Sequence, residues 1–145
     1  MKTNINKIKE EIDLIFKNKK CEKIERYINN AFLDLKDEMR YYDISDEAFN
    51  KLLISLKTFS LFIPILDRKE KISFYINGID GNICIHCQND RDDILNIVVE
   101  NNKKIAYCCA KNKYISMHTG NLDIGTNNYN EIETLFLILN FKKGE

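Results

Sequence analysis

Six side chains in the middle of the chain could ligate a metal or act as nucleophile and base: Cys84, His86, Cys87, Cys108, Cys109 and His118. Thiolates and imidazoles are zinc ligands, and a structural zinc site needs four of them converging as a tetrahedron. Their spacing follows no zinc-finger or zinc-ribbon pattern. Parity separates them as well, because successive side chains of a strand point to opposite faces. Cys84 and His86 share a face, Cys87 points away from them, and Cys108 and Cys109 point apart. A zinc site, if one formed, would draw on Cys84, His86, Cys108 and His118. The preferred reading is no metal and no cofactor, with Cys87 and one of the 108/109 pair as small core residues.

A thiol nucleophile is the second chemistry. Cys84 and His86 are neighbours on one strand face, but a working thiolate needs a depressed pKa and a third group that orients the imidazole. Asp80 and Asp90 are near in sequence, and nothing fixes either one. The acidic run Asp90-Arg91-Asp92-Asp93 lacks the spaced ligands and terminal glutamate of a calcium loop. Lysines cluster at 17–20, 102–104, 111–113 and 142–143. With Tyr75, Tyr107 and Tyr114 they could serve nucleic acid, but the two lysine turns flanking 104–110 lie at opposite ends of that segment. No glycine-rich phosphate loop, metalloprotease motif or nucleophile elbow is present.

The elements that must position these residues read as follows. In 71–77, Ile72, Phe74 and Ile76 alternate with Ser73, Tyr75 and Asn77, as in a strand with one buried face. Asn77-Gly78 and Asp80-Gly81 supply turn residues with access to positive φ. In 82–87, Ile83, Ile85 and Cys87 alternate with Cys84 and His86. A four-residue loop pairs Tyr75 with Cys84, and a two-residue loop pairs Tyr75 with His86. Both registers put Ser73, Tyr75, Cys84 and His86 on one polar face, since a shift of two residues preserves facing. Residues 94–99 are almost wholly apolar and read as a central strand covered on both faces. Residues 104–110 and 114–118 complete a meander, whose short turns favour antiparallel pairing.

Helical patterns flank the sheet. Asn4 is a candidate cap for a stripe of Ile5, Ile8, Ile12 and Ile15. A second helix spans about 21–40 through Ile24, Ile28, Ala31 and Leu35. Ser45 caps a third, with Asp46 and Glu47 in its first turn and Leu52, Leu56 and Phe59 inward. Pro64 marks 61–66 as an edge strand. Two glycines make 119–126 a loop. Asn128 and Glu131 form a capping box for a last helix. The fold class expected is α+β: N-terminal helices over 1–60, an antiparallel meander of four to six strands over about 61–118, and a C-terminal helix over 127–142 packed on the sheet. Residues 1–145 form one domain.

Lys plus Arg equals Asp plus Glu at 22 each, which argues against a dedicated polyanion binder. No secretory signal or membrane span is visible, and five cysteines without a framework suit a reducing, cytoplasmic setting. These features favour a small protein-binding module over an enzyme. Inhibitors of toxins, immunity proteins and anti-defence proteins are of this kind, and they act by steric blockade. The partner expected is another protein or protein complex, with no membrane; whether the first two helices pack on the sheet or form a homodimer is left open by the sequence. The contact residues expected are Tyr75, His86, Arg91, Asp92 and Tyr107, because Tyr and Arg dominate interface energies. A nucleic-acid or nucleotide-binding domain using the tyrosine face is the alternative, and a zinc- or thiol-dependent enzyme the second.

Overall fold

Two of three amphipathic helices lay their apolar stripes against one face of an antiparallel sheet, and the first helix packs on those two. A computed structural model describes residues 2–66, 71–89, 91–100, 104–111, 116–123 and 133. Helices α1 (Lys2–Phe16), α2 (Glu22–Glu38) and α3 (Asp46–Ser60) precede a short helical turn, α4 (Ile63–Leu66). The strands are β1 (Lys71–Asn77), β2 (Asn82–Gln88), β3 (Ile94–Val99), β4 (Lys104–Lys111) and β5 (Ser116–Asp123). They pair in chain order, each antiparallel to the next. The α+β class and the meander are therefore observed. Of the closing helix expected over 127–142 only residue 133 is described, and the polar turn over 67–70 lies outside the described residues.

Helix α2 packs on β1, α3 packs on β2 and β3, and α1 lies against α2 and α3. Ile8 and Ile12 of α1, Ile24 and Ile28 of α2, and Leu52, Leu56 and Phe59 of α3 are fully buried. Each contributes about 1.5–3 kcal/mol by leaving water. Phe59 meets Phe74 of β1 edge to face, with centroids 5.1 Å apart. Ser45 caps α3 as its sequence suggests, its Oγ accepting from the Ala48 amide at 3.1 Å.

Four expectations need correction. Asn4 does not cap α1, which begins at Lys2; its side-chain amide instead donates to Ile44 O at 3.2 Å and Asp46 Oδ1 at 3.1 Å. Residues 61–66 are not an edge strand. Phe62 O accepts from both Ile65 N and Leu66 N, so the chain makes one further helical turn with Pro64 on its outside. A proline at the start of a helical turn loses no bond, because that amide has no intrahelical partner. The sheet thus starts at Lys71. It also runs on to Asp123, so Gly120 sits within β5 rather than in a loop. The register puts Gly120 opposite Tyr107, and a Cβ there would lie 2.6 Å from the phenol oxygen. The absent side chain makes room for that ring. Finally, β3 is central but not covered on both faces among the described residues, for Asn96 is exposed and Ile94 and Val98 are only half-buried.

No helix among the described residues is long and apolar enough to cross a membrane.

Candidate functional site

The β1–β2 turn fixes the site register. Ile76 pairs with Ile83 and Tyr75 with Cys84, as a four-residue loop requires. Asn77 organises the turn: its Oδ1 accepts from the Ile79 and Asp80 amides at 3.0 Å each, and its Nδ2 donates to Asp80 Oδ2 at 3.1 Å. Within this turn only Gly81 takes positive φ, at 74°. Gly78 serves by its size, since a Cβ there would lie 2.8 Å from Leu35 Cδ1 and 2.9 Å from the Tyr42 hydroxyl. The buried Ser55 hydroxyl of α3 donates to Gly81 O at 2.9 Å and ties the turn to the helix layer.

The pairings define two rows across the face turned away from the helices. One runs Ser73, His86, Asn96, Cys108 and Thr119, and the other Tyr75, Cys84, Val98, Ala106 and Asn121. Tyr75 and His86 thus share a face, and both line a shallow depression of about 280 Å³ with Ser73, Cys84, Asn96 and Val98. His86 Nδ1 stands 2.6 Å from Asn96 Oδ1. With that amide oxygen as the acceptor, the ring donates through Nδ1. Asn96 is a positioning residue that sequence reading missed. Its signal was a lone polar residue at alternating parity inside an otherwise apolar strand.

Arg91 and Asp92 belong to the β2–β3 loop at one end of this face. Asn89, 2% exposed, builds that loop. Its Oδ1 accepts from the Arg91 and Asp93 amides at 2.9 Å each, and its Nδ2 donates to Asp93 Oδ2 at 3.1 Å. Asp92 takes φ 62°, and its carboxylate accepts from Gln88 at 3.0 Å, which joins the loop to the outer face. Arg91 is exposed, with Nε 3.7 Å from Asp93 Oδ2. Asp90 lies outside the described residues. Tyr107 does not join the others. It pairs with Ile97 and sits on the helix-side face, packed against the core. The expected grouping of Tyr107 with Tyr75 and His86 on one surface is therefore corrected.

The thiol and metal chemistries gain no geometry here. Cys84 is half-buried, and burial first, then the charge of Asp80, pushes its thiol up from the ordinary value. It stays protonated at neutral pH, the opposite of an activated nucleophile. Cys108 falls in the row of His86 with a whole strand between them, a separation of roughly 10 Å. His118 stands opposite Cys109 in the register, and its side chain lies outside the described residues. Among the described residues no three His, Cys, Asp or Glu side chains converge as a metal site would need.

Tyr75 carries a second set of contacts at the sheet edge. Its hydroxyl donates to Glu38 Oε2 at 3.3 Å, and the Tyr42 hydroxyl donates to the same oxygen at 3.1 Å. Burial, then the hydrogen bond and charge of Glu38, pushes the Tyr42 phenol up to about 12. Burial, then the charge and hydrogen bond of Glu38, raises Tyr75 as well.

Comparison with family models, with curated proteins and with solved structures finds no match to this chain.

Proposed function

We propose that the chain is a small protein-binding module of the inhibitor, immunity or anti-defence kind. It blocks a macromolecular partner sterically through the outer sheet face and the adjoining loop. The observation that carries this reading is the shape and make-up of that face. The depression holding Tyr75 and His86, about 280 Å³, is open to solvent rather than enclosed around a small substrate. His86 is held by Asn96 on the next strand and Tyr75 by Glu38 of α2, so docking on these two orders little that is not already ordered. Tyr75 presents a 43% exposed ring at the edge of this surface.

The nucleic-acid alternative is weaker at the same place. A tyrosine that stacks on bases needs positive neighbours for the phosphates, whereas Tyr75 has Glu38 and Asp80 beside it. The thiol-enzyme alternative has a Cys84 whose thiol is pushed up rather than down.

The test is recovery of a partner by the full chain in its source organism, followed by reconstitution with the purified, identified partner. Stoichiometric loss of the partner's activity supports steric blockade. A chain that elutes alone at every concentration and inhibits nothing refutes it.

A further inference from the structure

We propose that the corner where α2 meets the β1–β2 turn docks an arginine-bearing segment of the partner protein. This rests on the protein-binding reading above and adds where the strongest contact falls and what chemistry it takes. Three of the largest exposed apolar side chains gather there: Tyr41 at 85% exposure, Ile79 at 70% and Tyr75 at 43%. Single exposed apolar residues are ordinary on a surface. Two of the three, Tyr41 and Tyr75, are hydrogen-bonded to one residue, Glu38, and Ile79 adjoins the turn glycine beside Tyr42. Tyr75 and Tyr42 both donate to Glu38 Oε2, the Tyr41 amide donates to the Glu38 carbonyl at 3.0 Å, and the Tyr42 hydroxyl lies over Gly78, next to Ile79.

The charge of the corner selects the occupant. Asp37, Glu38 and Asp80 are acidic; of the neighbouring cations, Arg40 is engaged with Asp37 at 3.2 Å, and Lys51, which packs on Gly81, with Glu47 at 3.3 Å. The negative field reaches across the patch: Glu38 acts on both Tyr42 and Tyr75, and Asp80 acts on Tyr75 and Cys84. A phosphate or an acidic peptide would be repelled there, and a cation attracted. Both phenols use Oε2, and Oε1 of Glu38 accepts no hydrogen bond among the described residues. A carboxylate flanked by tyrosine rings matches guanidinium better than ammonium. Arginine offers a planar fork to the oxygens and a flat face to the rings.

The test is a titration of the full, nitrogen-15-labelled chain with a capped Arg-Gly-Arg peptide and with its glutamate counterpart. The arginine peptide should move the amides of Tyr41, Tyr75 and Ile79, and added salt should weaken it. Glu38→Gln should weaken it about tenfold. That variant keeps an oxygen for both phenols, so an unchanged melting curve is expected with it. Shifts elsewhere, equal binding of the glutamate peptide, or displacement of the arginine peptide by an oligonucleotide would overturn the proposal. A second arm uses the identified partner. If a Tyr41→Ala, Ile79→Ala chain holds that partner as tightly as the native chain, the corner is not the contact and the module reading stands. If no macromolecular partner exists, the module reading fails and the docked segment goes with it.

Discussion

Replacing Gly81 with alanine tests how the site is held, because two independent costs fall on one methyl group. The backbone there has φ 74°, where an L-residue pays about 1–2 kcal/mol. The added Cβ would also lie 2.6 Å from Lys51 Cβ and 2.8 Å from the Ala48 carbonyl oxygen. Neither neighbour is the free end of a flexible side chain, and both belong to α3. The turn must therefore lift from the helix, at an overpacking cost of about 1–3 kcal/mol. Lifting it also stretches the Ser55 hydroxyl away from Gly81 O, which is worth about 1 kcal/mol. The sum is about 3–6 kcal/mol, a large part of the roughly 5–15 kcal/mol that holds a domain together. Urea unfolding followed by circular dichroism reads it directly, and a Gly78→Ala chain is the control. That site has ordinary φ and meets only the ends of the Leu35 and Tyr42 side chains, so about 1–2 kcal/mol is expected. A Gly81→Ala chain within about 1 kcal/mol of the native protein, or no worse than Gly78→Ala, would refute the reasoning.

Three further outcomes follow from the same geometry. Asn89→Asp keeps the acceptors for the Arg91 and Asp93 amides but replaces the donor 3.1 Å from Asp93 Oδ2 with a second carboxylate. Its unfolding free energy should drop relative to the native chain as pH rises through the carboxylate range, and a pH-independent difference would contradict this. The Tyr42 phenol, pushed up to about 12, should ionise after the ordinary tyrosines in a phenolate absorbance titration. The unfolded chain gives up that proton near pH 10, so the stabilisation is whole below pH 10 and is lost as pH climbs towards 12. Glu38→Gln should bring the titration forward, and an unmoved curve would show that the carboxylate does not act on the ring. Cys84, with its thiol raised, should react with iodoacetamide at neutral pH more slowly than a free thiol, and a faster reaction would revive the nucleophile reading.

The sheet was legible because alternation and turn chemistry agree. Ile72, Phe74 and Ile76 turn inward together, and cysteine parity sets Cys87 and one of Cys108 and Cys109 inward; the choice of the four-residue loop, with Tyr75 against Cys84, and of Cys109 as the buried thiol comes from the structure. The misread positions have local causes. A short apolar run such as 61–66 has no period that distinguishes strand from helix, and Pro64 is welcome in either. Gly120 looked like a loop residue because the ring it accommodates lies one strand away at Tyr107. The facing of Tyr107 itself was recoverable, since it shares parity with Ile105 and Cys109, the more apolar set of that strand. The Glu38 contacts were not recoverable, because Glu38 and Tyr75 are 37 positions apart and meet only when α2 packs on β1.

The affinity of the identified partner for the native chain, set beside Tyr75→Ala and His86→Ala chains, bears most directly on the outer face as a contact surface. At least a tenfold loss for Tyr75→Ala, about 1.4 kcal/mol, with unchanged folding is the expected result. Full affinity in both variants would contradict it and move the contact elsewhere on the molecule.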